Sequence, residues 1–137
     1  MKNIDLKQRS HCVYSLKYHL VIVTKYLRKC LTGEMLEVIE RLARERCDSR
    51  DGELVEINGE ADHVQLLVSL PPHIALSEFV NAIKTNTARV LRRDFAEALA
   101  AHYSEPVLWS RSYFAMTVGG APIEVLRQYI ENQDRPA

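Results

Sequence analysis

Tyr129 and Gln133 stand four residues apart near the end of this chain, and far upstream His63 and Gln65 stand two apart. On a helix, positions i and i+4 share a face, so the phenol and the second amide would project together. On a strand, positions i and i+2 share a face, so the imidazole and the first amide would do the same. Where two such faces meet, three groups with lone pairs to offer a metal surround one phenol. That combination suits cleavage of a phosphodiester by a tyrosine nucleophile.

The chemistry sets conditions on the site. A tyrosine has a pKa of about 10, so only ~0.1% is phenolate at neutral pH. Full ionisation would cost about 4 kcal/mol unless a base or a cation assists. A divalent ion can polarise a non-bridging phosphate oxygen and stabilise the departing oxygen. One imidazole nitrogen from His63, with amide oxygens from Gln65 and Gln133, suits Mg²⁺ or Mn²⁺ better than zinc. Without a carboxylate ligand, such an ion is held weakly until substrate phosphate completes its shell. Taken singly, each residue has a plainer reading: a surface histidine, a packing tyrosine with a wet hydroxyl, a solvated glutamine.

The elements that must position these residues fit one domain, residues 1–137. The composition, 47% hydrophobic and 26% charged, is that of an ordinary soluble globular protein. Its apolar runs are too short to span a bilayer, and its N-terminus lacks the apolar stretch of a secretory signal. Cys12, Cys30 and Cys47, odd in number and widely spaced, read as reduced thiols of a cytoplasmic protein. The net charge is zero, yet residues 1–29 carry seven basic side chains against one acid, whereas 34–62 carry ten acids against four arginines. A second basic cluster follows at Lys84, Arg89, Arg92 and Arg93. Polyanion binding depends on the local field, so the split is compatible with phosphate contact, with solvated helix faces as the plainer alternative.

Residues 13–25, rich in β-branched and aromatic types, suit one long strand. Thr32 is a natural N-cap for a helix over 33–49, which Asp51-Gly52 ends. Strands over 54–59 and 63–70 form a hairpin, and Pro71-Pro72 closes the second. Ser77 can cap a long helix with the apolar stripe Phe79, Val80, Ile83, Thr87, Val90 and Leu91. A fourth strand over 113–118 meets Gly119-Gly120, and Pro122 opens a last helix over 122–133. The order β-α-β-β-α-β-α implies an α+β fold, a ferredoxin-like (RRM-like) antiparallel sheet with helices on one face and a C-terminal helix carrying Tyr129. The strand with His63 should lie centrally. The fourth strand, apolar on both faces, should pair across a two-fold axis.

The run 58–67, Asn-Gly-Glu-Ala-Asp-His-Val-Gln-Leu-Leu, resembles the metal-binding strand of the single-tyrosine, single-strand transposases of the smallest bacterial insertion sequences, members of the HUH endonucleases. Residues 108–114 and 119–123 resemble that family's approach to its nucleophile helix, 125–133 the helix itself, and 14–29 its first strand. The resemblance implies that Tyr129 forms a 5′-phosphotyrosine link with cleaved single-stranded DNA, and that His63 and Gln133 ligate Mg²⁺ or Mn²⁺. It also implies a homodimer with composite active sites, acting on hairpins at the element's ends in transposition. Gln65 stands where the family usually has its second histidine. A catalytically impaired homologue that binds hairpins without cleaving them is therefore the alternative.

Two other classes fit less well. An RNA-recognition sheet stacks bases on aromatics of its central strands, and His-Val-Gln-Leu-Leu-Val-Ser has none. Two-histidine phosphoesterases need paired His-x-Ser/Thr motifs, and only His102-Tyr103-Ser104 spells one.

Overall fold

The computed structural model describes residues 7–9 and 12–118. Tyr129, Gln133, Gly119-Gly120 and the helix expected over 122–133 lie outside the described residues. The elements in chain order are β1 (Lys7–Arg9), β2 (Cys12–Tyr14), β3 (Lys17–Val23), a short helical turn (Lys25–Leu27), α1 (Gly33–Ser49), β4 (Glu53–Gly59), β5 (His63–Ser69), α2 (Leu76–Asp94), α3 (Ala96–Ala100) and β6 (Phe114–Val118).

The main sheet is four-stranded and antiparallel, in the order β4-β5-β3-β6. This is the strand order of the βαββαβ fold, and the strand bearing His63 is interior, as the sequence implies. Alternation along β3 and β5 sends Leu20, Ile22, Val64, Leu66 and Val68 into the core. The same core takes the stripes Met35, Ile39, Leu42, Ala43, Cys47 of α1 and Phe79, Val80, Ile83, Thr87, Val90, Leu91 of α2. Full burial of the Val, Leu, Ile, Phe and Met side chains among these stabilises the fold by about 1.5–3 kcal/mol each. Both helices thus pack on one face of the sheet. On the other face, His19, Gln65, Phe114 and Met116 are exposed.

Thr32 caps α1 as expected, its Oγ1 accepting from the Met35 amide at 3.3 Å. The helix ends in a Schellman motif: Gly52 N donates to Cys47 O at 2.8 Å and Asp51 N to Asp48 O at 3.3 Å. Asp51 takes the left-handed position at φ 57°, where glycine is usual. Gly52 is needed for a different reason. A Cβ there would lie 2.6 Å from the backbone oxygen of Ser69.

Two expectations need correction. The strand over 13–25 is broken: β2 folds back to pair with β1, Lys7 opposite Tyr14, and β3 begins only at Lys17. Uniform β-branched composition carries no mark of that bend. Ser77 does not cap α2, which begins at Leu76 with Ala75 in the cap position and no side-chain cap. The turn from Pro71, whose carbonyl accepts from Ile74 N at 3.2 Å, delivers the chain into the helix earlier than the serine. The stretch before His102, read as a helix end, is a separate short helix, α3, which follows α2 after Phe95.

Candidate active site

In β5, Val64 and Leu66 point into the core, so His63 and Gln65 share the opposite face, which none of the described helices covers. Register fixes their neighbours. Gln65 lies opposite Asn58 on one side and Val21 on the other, and Val21 in turn lies opposite Phe114. His63 lies opposite Val23, at the end of the strand. Gln65 is exposed and His63 half-buried.

His63 is oriented by its predecessor. Its Nδ1 lies 2.8 Å from Asp62 Oδ1. That hydrogen bond is the main reason the Asp62 carboxyl is held below the usual carboxylate range, with the charges of His63 and Lys29 assisting. An ionised carboxylate can only accept, so Nδ1 is the nitrogen that donates to Asp62, and in a neutral ring Nε2 is the one left with a lone pair. Asp62 is in turn fixed through its backbone: its carbonyl accepts from Thr24 N at 3.0 Å, with Thr24 Oγ1 also within 3.2 Å.

The donors fit a weakly held divalent ion. An imidazole nitrogen with its other nitrogen tied to a carboxylate is a standard metal ligand, and a nearby amide oxygen is a hard donor suited to Mg²⁺ or Mn²⁺. Among the described residues, no three His, Cys, Asp or Glu side chains gather as a metal cluster. Gln133, the expected third ligand, lies outside them.

Thr24 also shapes the next segment. Its hydroxyl donates to Arg28 O at 2.7 Å, and Tyr103 Oη donates to Lys25 O at 2.7 Å. Between these ties, Tyr26 and Leu27 both hold positive φ, 60° and 53°, around a hydrogen bond from Arg28 N to Lys25 O. That is the backbone of a type I′ turn, which Asn-Gly normally fills. Left-handed backbone at a non-glycine residue costs of order 1–3 kcal/mol. Tyr103 supports the turn from inside, and burial pushes its phenol up to about 12.

The basic cluster divides. Lys84, half-buried, donates to the carbonyls of Ser110 at 2.6 Å and Arg111 at 3.1 Å, bracing the segment that leads to β6. Burial lowers its pKa. Close by, Trp109 Nε1 donates to Thr87 Oγ1 at 2.9 Å. Arg89, Arg92 and Arg93 line an open depression with Thr85 and Ala88. Arg89 is bonded to Asn86, and Arg93 to Asp94.

Sequence reasoning passed over Asp62, Thr24 and the Tyr26 turn. An aspartate before a strand histidine would ordinarily face the opposite way. It can turn toward His63 because it still belongs to the loop. Tyr-Leu has no turn chemistry, so nothing in the sequence marked the left-handed pair.

A family described as IS200-like transposases matches residues 12–133. The chain belongs to the IS200-like transposase family. This IS200-like chain is 29% identical over 129 residues to the transposase for insertion sequence element IS200 of Salmonella typhimurium, covering 94% of this chain and 84% of the relative. It is 29% identical over 130 residues to the ISDra2 transposase TnpA of Deinococcus radiodurans, covering 95% and 92%. A crystal structure from Deinococcus radiodurans R1, ascribed to a transposase, superposes with a TM-score of 0.74 at 32% identity over 95% of this chain and 99% of that one. A REP-associated tyrosine transposase bound to a REP hairpin shares the fold, with a TM-score of 0.60 at 10% identity over 91% of this chain and 68% of that one. Among the described residues, no helix is long and apolar enough to cross a membrane.

Proposed function

We propose that this transposase nicks and rejoins single-stranded DNA at hairpins bounding a mobile element, through a tyrosine nucleophile and with Mg²⁺ or Mn²⁺. The observation that carries this reading is the placement of His63 and Gln65 on the face of an interior strand away from the described helices, with His63 oriented by Asp62, in an IS200-like chain. Binding of a REP hairpin by a protein of the same fold supports hairpins as substrates.

In this reading Tyr129 Oη attacks the scissile phosphorus, a 5′-phosphotyrosine bond forms, and the 3′ oxygen leaves and takes up a proton. The reverse attack by a 3′ hydroxyl on that bond transfers the strand and frees the phenol. His63, Gln65 and Gln133 would hold the metal, which when bound supplies Lewis-acid stabilisation of charge on the phosphate oxygens. Asp62 keeps the His63 ring fixed in the tautomer that leaves Nε2 free. The preorganised ring removes a reorganisation cost from the chemical step.

The active species is a homodimer with composite sites. Among the described residues, β6 is an edge strand whose far side pairs with nothing, and it is exposed along most of its length. Such an edge suits pairing with a second copy. Light scattering at micromolar concentration should give twice the chain mass, and a stable monomer would overturn this part.

The decisive experiment incubates the protein with single-stranded element ends and Mg²⁺ or Mn²⁺, then seeks covalent adducts on a denaturing gel. Adducts that vanish in Tyr129→Phe establish the mechanism; adducts that persist refute it. One observation favours a second reading. Gln65 is a weaker ligand than imidazole for Mn²⁺, so a hairpin-binding homologue without cleavage is the result if wild type binds DNA and forms no adduct.

A further inference from the structure

Two successive non-glycine residues in left-handed backbone, both at the surface, serve no purpose that folding supplies. Tyr26 is 69% exposed and Leu27 62%. Neither side chain stabilises the core, and Asn-Gly would relax the same turn. The turn is nonetheless held firmly from behind: Thr24 and Tyr103, both buried, bind the carbonyls of Arg28 and Lys25. It is also close to His63. Val23 pairs with His63, Thr24 binds the Asp62 backbone, and the turn begins at the next residue.

We propose that Tyr26 is a stacking platform for an unpaired nucleotide of the DNA strand that runs to His63, with Lys25, Arg28 and Lys29 meeting the flanking phosphates. This rests on the reading of the chain as a single-strand DNA transposase and assigns a specific surface to that strand. An exposed ring on a rigid support surrenders little conformational freedom on binding, and every base offers a face to it. Cations stand close by: Lys25 Nζ lies over the ring at 5.5 Å and Arg28 Cζ at 5.9 Å from its centroid, and an arriving base would displace them from the ring toward its own phosphates. Lys29 is exposed and adds to the positive field felt by Asp62. Beside the ring, Tyr26, Arg28, His102 and Glu105 line a cleft of about 130 Å³. That is well below the ~300–1,000 Å³ of sites that enclose a whole small molecule, and suits the edge of one planar group. Glu105 would repel a phosphate but can accept from a base N–H, the N3–H of thymine included, so the base and not the backbone faces the cleft.

The test uses the full chain and fluorescence anisotropy with two probes: a short oligodeoxythymidylate, and a DNA stem–loop without a single-stranded flank. Tyr26→Phe keeps the ring and should bind both within about twofold of wild type. Tyr26→Ala, and the double change of Tyr26→Asn with Leu27→Gly, should weaken oligodeoxythymidylate binding about 5- to 100-fold, the range expected from losing one stacked base. Stem–loop binding should stay unchanged. The double variant should melt at or above the wild-type temperature, so that lost binding is not lost folding. Variants that bind the single strand like wild type would overturn the platform and leave the adduct assay to judge the transposase reading separately. A smaller assembly in light scattering with unchanged DNA affinity would make Tyr26 a protein contact and also overturn it. A wild type that binds neither probe and forms no adduct would remove both readings together.

Discussion

Asp62 Oδ1 lies 2.8 Å from His63 Nδ1, in a loop whose backbone is fastened to Thr24. The side chain orients the imidazole while the main chain holds the loop, so the two roles separate. Asp62→Ala should therefore keep the fold and weaken Mn²⁺ binding about 10- to 100-fold, as loss of a carboxylate partner does at metal-bound histidines. Electron paramagnetic resonance titration of free Mn²⁺ against the protein measures this without any turnover. An unchanged affinity would leave the pair as a local contact with no bearing on metal.

Gln65 and Tyr129 give opposed substitutions. Tyr129→Phe should abolish covalent adducts while hairpin binding persists, because only the nucleophilic oxygen is removed. Gln65→His should tighten Mn²⁺ binding and raise cleavage, nitrogen being the better donor for that ion. If the first holds and the second leaves cleavage unaltered, the nucleophile stands and the proposed ligand set does not.

Lys84 and the arginines of α2 should part company under mutation. Lys84→Met removes two hydrogen bonds to backbone carbonyls and should lower the melting temperature by weakening the segment before β6. Arg89, Arg92 and Arg93 changed to glutamine should leave stability nearly intact. If they meet phosphates, each should flatten the slope of log affinity against log salt by about 0.7–0.9. Unchanged slopes would leave them as solvated charge.

Gly52→Ala should destabilise the protein by about 1–3 kcal/mol, the usual penalty of overpacking. The added Cβ would meet the Ser69 backbone oxygen at 2.6 Å, and a paired strand cannot retreat as a side chain would. Gly59→Ala should be milder, because the atoms met there belong to the flexible end of Leu36. Urea titration of both variants checks the order.

Alkali should loosen the Tyr26 turn. Burial pushes the Tyr103 phenol up from 10.0 to about 12 and the Cys47 thiol from 9.0 to about 12. Both folded values exceed the unfolded ones, so the stability they reflect is full below about pH 9 and is lost as pH rises toward 12. Phenolate absorbance from Tyr103 should grow in only with that loss, and Tyr103→Phe should lack this component.

Much of the fold was legible because periodicity survives translation into three dimensions. The stripes Met35–Cys47 and Phe79–Leu91 and the alternation around His63 each report a single buried face. The break at Ser15-Leu16 was not legible, because a bend between two β-rich segments leaves composition unchanged. Nor was Ser77's failure to cap, since any serine near a helix start offers the same oxygen. At the candidate site, the shared face of His63 and Gln65 followed from spacing, whereas Asp62's role needed a loop geometry that spacing does not encode. Lys84 looked like its arginine neighbours until its reach to Ser110 and Arg111 was visible.

The side of β6 that pairs with nothing among the described residues bears on how often such an element could move. If closing that edge requires a second copy, the competent species rises with the square of chain concentration while protomers are scarce. A cell making few copies would then hold mostly incompetent single chains, and modest rises in expression would be amplified in DNA cutting. A mobile element encoding this chain would carry its own dosage brake in the backbone of one short strand, with no repressor needed.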